Sequence, residues 1–102
     1  MLLPARGAAR IAGLRLAIDA VNQEMLALLE KRGRLVVEIM QLKHELGLHS
    51  YDPDRERQMI AALLRSSTGV YSAAALERVF AGIFEASRGL GSAGNSERTL
   101  TD

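Results

Sequence analysis

An arginine occupies a place in this sequence where an apolar residue belongs. Apolar residues recur at Ile11, Leu14, Ile18, Val21, Met25 and Leu28, then at Leu35, Ile39, Leu42 and Leu46. Steps of three and four mark a helix that buries one seam. Between Leu28 and Leu35 the pattern asks for an apolar side chain, and the chain supplies Arg32. A guanidinium keeps its charge, and burying it without a partner is costly. An anion must meet Arg32, or the seam must open to water. Lys43 follows on nearly the same helical face, roughly 16 Å further along the axis. Two long cationic side chains reaching toward each other leave a gap suited to a small anion. Arg15 lies roughly 25 Å from Arg32 and about 100° around the helix, too far to join that site from the same chain. Across a two-fold axis it can reach the site of a partner chain. For Lys43 or Arg15 alone, a solvated charge on a helix flank is the simpler account; for Arg32, inside the seam, it is the weaker one.

A second cluster is Asp52, Arg55 and Glu56. Ordinary helix-end chemistry accounts for Asp52 as an N-cap and for acids near the positive end of the dipole. It accounts poorly for Arg55, because a cation there is mildly unfavourable. Ser87 interrupts the apolar stripe of a later helix, either as a ligand or by bonding back to a carbonyl one turn earlier. His44 and His49 have no acid-rich partner set, so a metal site is not expected. No serine–histidine or cysteine–histidine pair and no glycine-rich phosphate loop is present. This set describes a pocket for a small polyanion carrying hydroxyls, without naming a reaction.

The elements that must position these residues follow from punctuation and period. Ile11 to Leu46 reads as one helix, weakened only at Gly13 and Gly33, by about 1 kcal/mol each. Such a helix is roughly 54 Å long, whereas a compact domain of this size has a radius of gyration of about 13 Å. Its apolar seam therefore calls for a second chain, most simply in an antiparallel or crossed pair. Residues 1–9, with Pro4 and Gly7, read as a flexible leader. Gly47 is a helix stop. Asp52 and Pro53 open a second helix as N-cap and first helical residue; it buries Met59, Ile60, Leu63 and Leu64 and ends between Ser66 and Gly69. Ser72 is an N-cap for a third, striped by Leu76, Val79, Phe80, Ile83, Ser87 and Leu90. The glycines at 89 and 91 favour ending it, and residues 91–102 read as a mobile tail. The expected fold is all-α, with three helices per chain and a functional domain over residues 10–90.

Composition narrows the function classes. The 102 residues fit one modest core, and no cysteine is available for disulfides or thiolate metal sites. A formal net charge of +1 with 25% charged residues argues against a general nucleic-acid binder. Aromatic residues at 4%, with no tryptophan, argue against base-stacking platforms. The first residues lack the apolar run of a secretory signal and no segment reaches transmembrane length, so the expected compartment is cytoplasmic, with no membrane partner.

From about Leu14 to Leu90 the sequence resembles the all-helical (AroQ-class) chorismate mutases. The resemblance is carried by Leu14-Arg15 with Ile18-Asp19 and Asn22, by Leu28-Leu29-Glu30-Lys31-Arg32, by Lys43, by Tyr51-Asp52-Pro53-Asp54-Arg55-Glu56-Arg57, by Glu77-Arg78-Val79-Phe80 and by Ile83-Phe84-Glu85-Ala86-Ser87. No single motif is decisive; their joint spacing is specific. The resemblance implies an intertwined homodimer with two active sites, each completed by an arginine from the other chain. It implies the [3,3] rearrangement of chorismate to prephenate, on the route to phenylalanine and tyrosine, without cofactor or metal. By position, Arg32 and the partner's Arg15 would hold the substrate carboxylates. Lys43 would reach a carboxylate and the ether oxygen. Asp52 and Glu56 would receive the ring hydroxyl, Arg55 would line the site, and Ser87 would hydrogen-bond a carboxylate. Of these, Arg32, Lys43 and Glu56 would carry catalysis. One position departs from the family: four residues after the serine it usually has a glutamine that donates to the ether oxygen, and here stands Gly91. Removing one such donor costs about 2.7–4 kcal/mol of transition-state stabilisation. Two further readings share the scaffold: a lyase removing pyruvate from isochorismate, and a helical dimerisation or regulatory module. A pure scaffold has no reason to keep Arg32 in an apolar seam. A larger enzyme of the shikimate pathway is a further candidate partner.

Overall fold

The structure is a computed structural model that describes the backbone of residues 2–101 and the side chains of residues 5–91. It is all-α, with three helices: α1 (Leu2–Glu45), α2 (Pro53–Ser66) and α3 (Ala73–Thr101). The chain divides into two units, Met1–Arg34 and Leu35–Asp102. The first holds only the N-terminal part of α1. The second holds the C-terminal part of α1 together with α2 and α3, which pack on each other.

Local chemistry sets the inner boundaries. At the end of α1, Gly47 adopts the left-handed conformation, φ 70°. The Gly47 N–H then donates to His44 O at 3.2 Å and the Leu48 N–H to Lys43 O at 2.8 Å. These are the paired bonds of a Schellman stop, in which glycine avoids the Cβ penalty of that conformation. Asp52 caps α2: its Oδ1 accepts from the Arg55 N–H at 3.1 Å, with Pro53 in the first turn. Ser72 caps α3 in the same way, Oγ accepting from the Ala75 N–H at 3.1 Å. All three boundaries agree with the expectations from sequence.

Two outer boundaries differ. Helix α1 begins at Leu2 rather than Ile11, and α3 continues to Thr101 rather than ending near Gly89 and Gly91. Residue 4 falls in the first turn of α1, where the backbone N–H that proline lacks would have no helical partner anyway. Glycine inside α3 costs only about 1 kcal/mol per residue, less than is needed to stop a helix that already has about four turns behind it.

The protomer buries little. Among the described residues only Phe84 is fully buried, at 4% exposure, with Phe80 tilted against it at a ring separation of 6.4 Å. Met59, Ile60 and Leu64 of α2 are half-buried, and Leu63 is exposed, so that expected core is only partly covered. On α1, Ile11, Leu14, Ile18, Val21, Met25, Leu28, Leu35, Ile39, Leu42 and Leu46 are all exposed, Leu28 at 65%. Among the described residues no helix is long and apolar enough to cross a membrane.

Candidate functional site

The second unit contains five of the seven residues singled out in the sequence: Lys43, Asp52, Arg55, Glu56 and Ser87. Lys43 is half-buried in the last turn of α1, and the Gly47 stop folds the following connection back toward it. Its Nζ donates to Ser50 O at 3.4 Å, two residues before the cap of α2. The same residue's carbonyl accepts the Leu48 N–H. The ammonium is thus held close to the chain that leads into Asp52.

Asp52 and Arg55 meet through the cap itself. One Asp52 oxygen is occupied by the Arg55 N–H, and the Asp52 carbonyl accepts the Glu56 N–H at 3.2 Å. The helix-end account of Asp52 therefore holds, and a carboxylate with about four lone-pair sites can still accept a ligand hydroxyl beside that bond. Glu56, one turn on, is half-buried and faces α3. Its Oε2 accepts from Arg88 Nη1 at 2.5 Å. The Arg88 guanidinium lies over the Tyr51 ring, with its carbon 5.0 Å from the ring centroid. The hydrogen bond to Glu56 raises the Arg88 pKa above its ordinary value.

Ser87 is half-buried, and its hydroxyl donates to Ile83 O at 2.7 Å, the back-bond to the preceding turn. A ligand carboxylate can only accept. For Ser87 to bind one, its hydroxyl proton must rotate away from Ile83. Four residues on, a Cβ built at Gly91 would lie 3.1 Å from Met40 Sδ, so the position that lacks the glutamine faces α1's C-terminal part.

Arg15 and Arg32 belong to the first unit, Arg15 exposed and Arg32 half-buried. The seam arginine is thus less exposed than most of the leucines around it, which accords with a charge placed in an apolar stripe. Among the described residues no group of three or more histidine, cysteine, aspartate or glutamate side chains could hold a metal ion.

Sequence reasoning passed over Arg88. It stands beside Ser87 but about 100° around the helix, off the apolar stripe, and reads as a solvated charge. Its partner is 32 residues away in sequence, and no local pattern announces such a pair. Tyr51 had a faint signal as the residue before the Asp52-Pro53 cap, but none for stacking.

The geometry defines a small helical domain with cationic and hydrogen-bonding side chains around the α1–α2 connection and the facing part of α3. Residues 14–91 match the chorismate mutase type II family, and the chain belongs to that family. It is similar to the chorismate mutase of Thermus thermophilus, at 47% identity. In that protein's form I structure the TM-score is 0.75, with 76% of this chain and 98% of the other covered. In form II it is 0.78, with 79% and 92% covered. It is also 43% identical over 54 residues to the T-protein of Enterobacter agglomerans, covering 53% of this chain and 14% of the relative. Against the bifunctional chorismate mutase/prephenate dehydratase of Aquifex aeolicus the identity is 36% over 58 residues, covering 57% and 16%. The chain therefore spans a small part of the length of these two curated relatives.

Proposed function

We propose that this chain is a chorismate mutase that works as a homodimer through the domain at residues 10–90. The observation that carries the reading is the extent of the family match: residues 14–91 include every one of the seven candidate ligands. In this reading the dianionic substrate is held by Arg32 and the partner subunit's Arg15, and Lys43 lies at a carboxylate and the ether oxygen. Asp52 and Glu56 accept the ring hydroxyl, Arg55 lines the site, and Ser87 turns its hydroxyl from Ile83 to a carboxylate.

The reaction breaks one carbon–oxygen bond and forms one carbon–carbon bond within a single molecule. No proton is transferred and no covalent adduct with the protein is required. What the side chains supply is restriction to the compact conformer and cationic stabilisation of charge growing on the ether oxygen. Glu56 and Asp52 fix the ring, the arginines fix the side chain, and Lys43 meets the breaking bond. The cytoplasm is the compartment this reading assigns, and a larger shikimate-pathway enzyme is a candidate partner.

The test is to mix the purified protein with chorismate and, separately, with isochorismate, and to identify the products. Prephenate from chorismate is expected. Pyruvate and salicylate from isochorismate, with no prephenate from chorismate, would replace the mutase by a lyase. No product from either would leave a dimerisation module.

A further inference from the structure

We infer that Arg88 is a positioning residue for the ring-hydroxyl end of the site, holding the Glu56 carboxylate in the orientation that receives the hydroxyl. The inference rests on the mutase reading. Its ground is geometric. Arg88 Nη1 reaches Glu56 Oε2 at 2.5 Å across the α2–α3 packing, and the guanidinium is itself held over Tyr51, 5.0 Å from the ring centroid. Three separate pieces of chain thus converge: the α1–α2 connection through Tyr51, the first turn of α2 through Glu56, and α3 through Arg88.

The chemistry favours such an arrangement. A glutamate side chain one turn into a helix has several rotamers, and a carboxylate that is to accept a hydroxyl gains from being fixed before the ligand arrives. Arg88 engages one oxygen, Oε2, and a carboxylate has lone pairs to spare on the other. An arginine suits the task better than a lysine, because its planar fork can stack on an aromatic face and hydrogen-bond at its edge at once. Glu56 is 23% exposed and Arg88 40%, so solvent screens the pair and it adds little to stability. Its position on a candidate ligand is what gives it consequence. The other charge acting on Arg88 from its own helix is Glu85, and Tyr51 acts on it from the connection.

The experiment compares wild type, Arg88→Gln and Arg88→Lys on chorismate and on an analogue whose ring hydroxyl is replaced by hydrogen, with melting temperature recorded for each. Arg88→Gln is expected to lower kcat/KM for chorismate about tenfold, the size of a weakened hydrogen bond to a charged group. The analogue should lose little, and the melting temperature should stay close to that of wild type. Arg88→Lys should recover part of the loss. Nitrogen-15 NMR of the arginine side chains provides a readout without turnover: Arg88 should show slowed guanidinium rotation in wild type and release in Glu56→Gln. A chorismate-active wild type whose activity is unchanged in Arg88→Gln overturns the inference alone. Equal losses on both compounds also overturn it, because they mark a purely structural clasp. A wild type that turns over neither compound overturns the mutase reading, and this role with it.

Discussion

The backbone of Gly91 passes so close to Met40 that a Cβ at residue 91 would stand 3.1 Å from its Sδ and 3.6 Å from its Cε. Any side chain at this position must move a thioether by a few tenths of an ångström, which a flexible methionine can allow. Because α3 continues through residue 91, a glutamine there would lie one turn beyond Ser87 on the same face. Gly91→Gln is therefore expected to raise kcat on chorismate, with a smaller effect on KM, the pattern of an interaction made mainly in the transition state. Steady-state kinetics decide it. A wild-type turnover typical of metabolic enzymes, unchanged or lowered by the substitution, would show that another group stabilises the ether oxygen.

Arg32 should separate function from folding. Arg32→Ala is expected to lower kcat/KM about a hundredfold or more, the scale of losing a charged donor that stabilises the transition state. The melting temperature should stay close to that of wild type, since Arg32 is only half-buried. Loss of fold in this variant, measured by circular dichroism, would make the arginine structural instead.

The cap that Asp52 forms and the ligand role proposed for it can be divided by two substitutions. Asp52→Asn keeps an oxygen for the Arg55 N–H and should leave stability nearly unchanged. Its activity should fall, because the amide oxygen accepts a ligand hydroxyl more weakly than a carboxylate does. Asp52→Ala should lose activity and also about 1 kcal/mol of stability. Denaturant unfolding with parallel kinetics distinguishes them; equal activity in Asp52→Asn and wild type would remove Asp52 from the site.

The exposed seam of α1 predicts the assembly. Sedimentation at micromolar concentration should give twice the chain mass. Leu28→Glu should shift the mass toward the monomer, because each chain forfeits about 1.5–3 kcal/mol of leucine burial and must also accommodate a charge. A folded wild-type monomer would exclude Arg15 as a ligand supplied across the interface.

Local chemistry was the most legible part of this chain. The Gly47 stop, the Asp52-Pro53 start and the Ser72 cap each follow from one or two residues satisfying orphaned backbone groups, and the structure has them where the sequence puts them. The outer helix ends were not legible. Residues 2–10 present neither a capping residue nor an apolar period, and Gly89 and Gly91 weaken a helix without stopping it. Ser87 could be read two ways, and its bond to Ile83 supports the local one. The Glu56–Arg88 pair lay beyond reach, because it depends on how α2 packs on α3, and helix period says which face is apolar, not which flanking charges meet.

Phe84 is the sole fully buried residue among those described, and this has a kinetic consequence. A lone protomer withdraws too little apolar surface from water to offset the entropy of ordering its chain. In the proposed homodimer most of the driving force would arrive with the second copy, and structure formation would be a bimolecular event. Refolding from denaturant should slow in proportion as the protein is diluted, where a self-sufficient domain would refold at one fixed rate. In the cell, the interval between synthesis and encounter would be the stage at which an unpaired chain is most open to proteolysis, and its length would be set by how much of the protein is made.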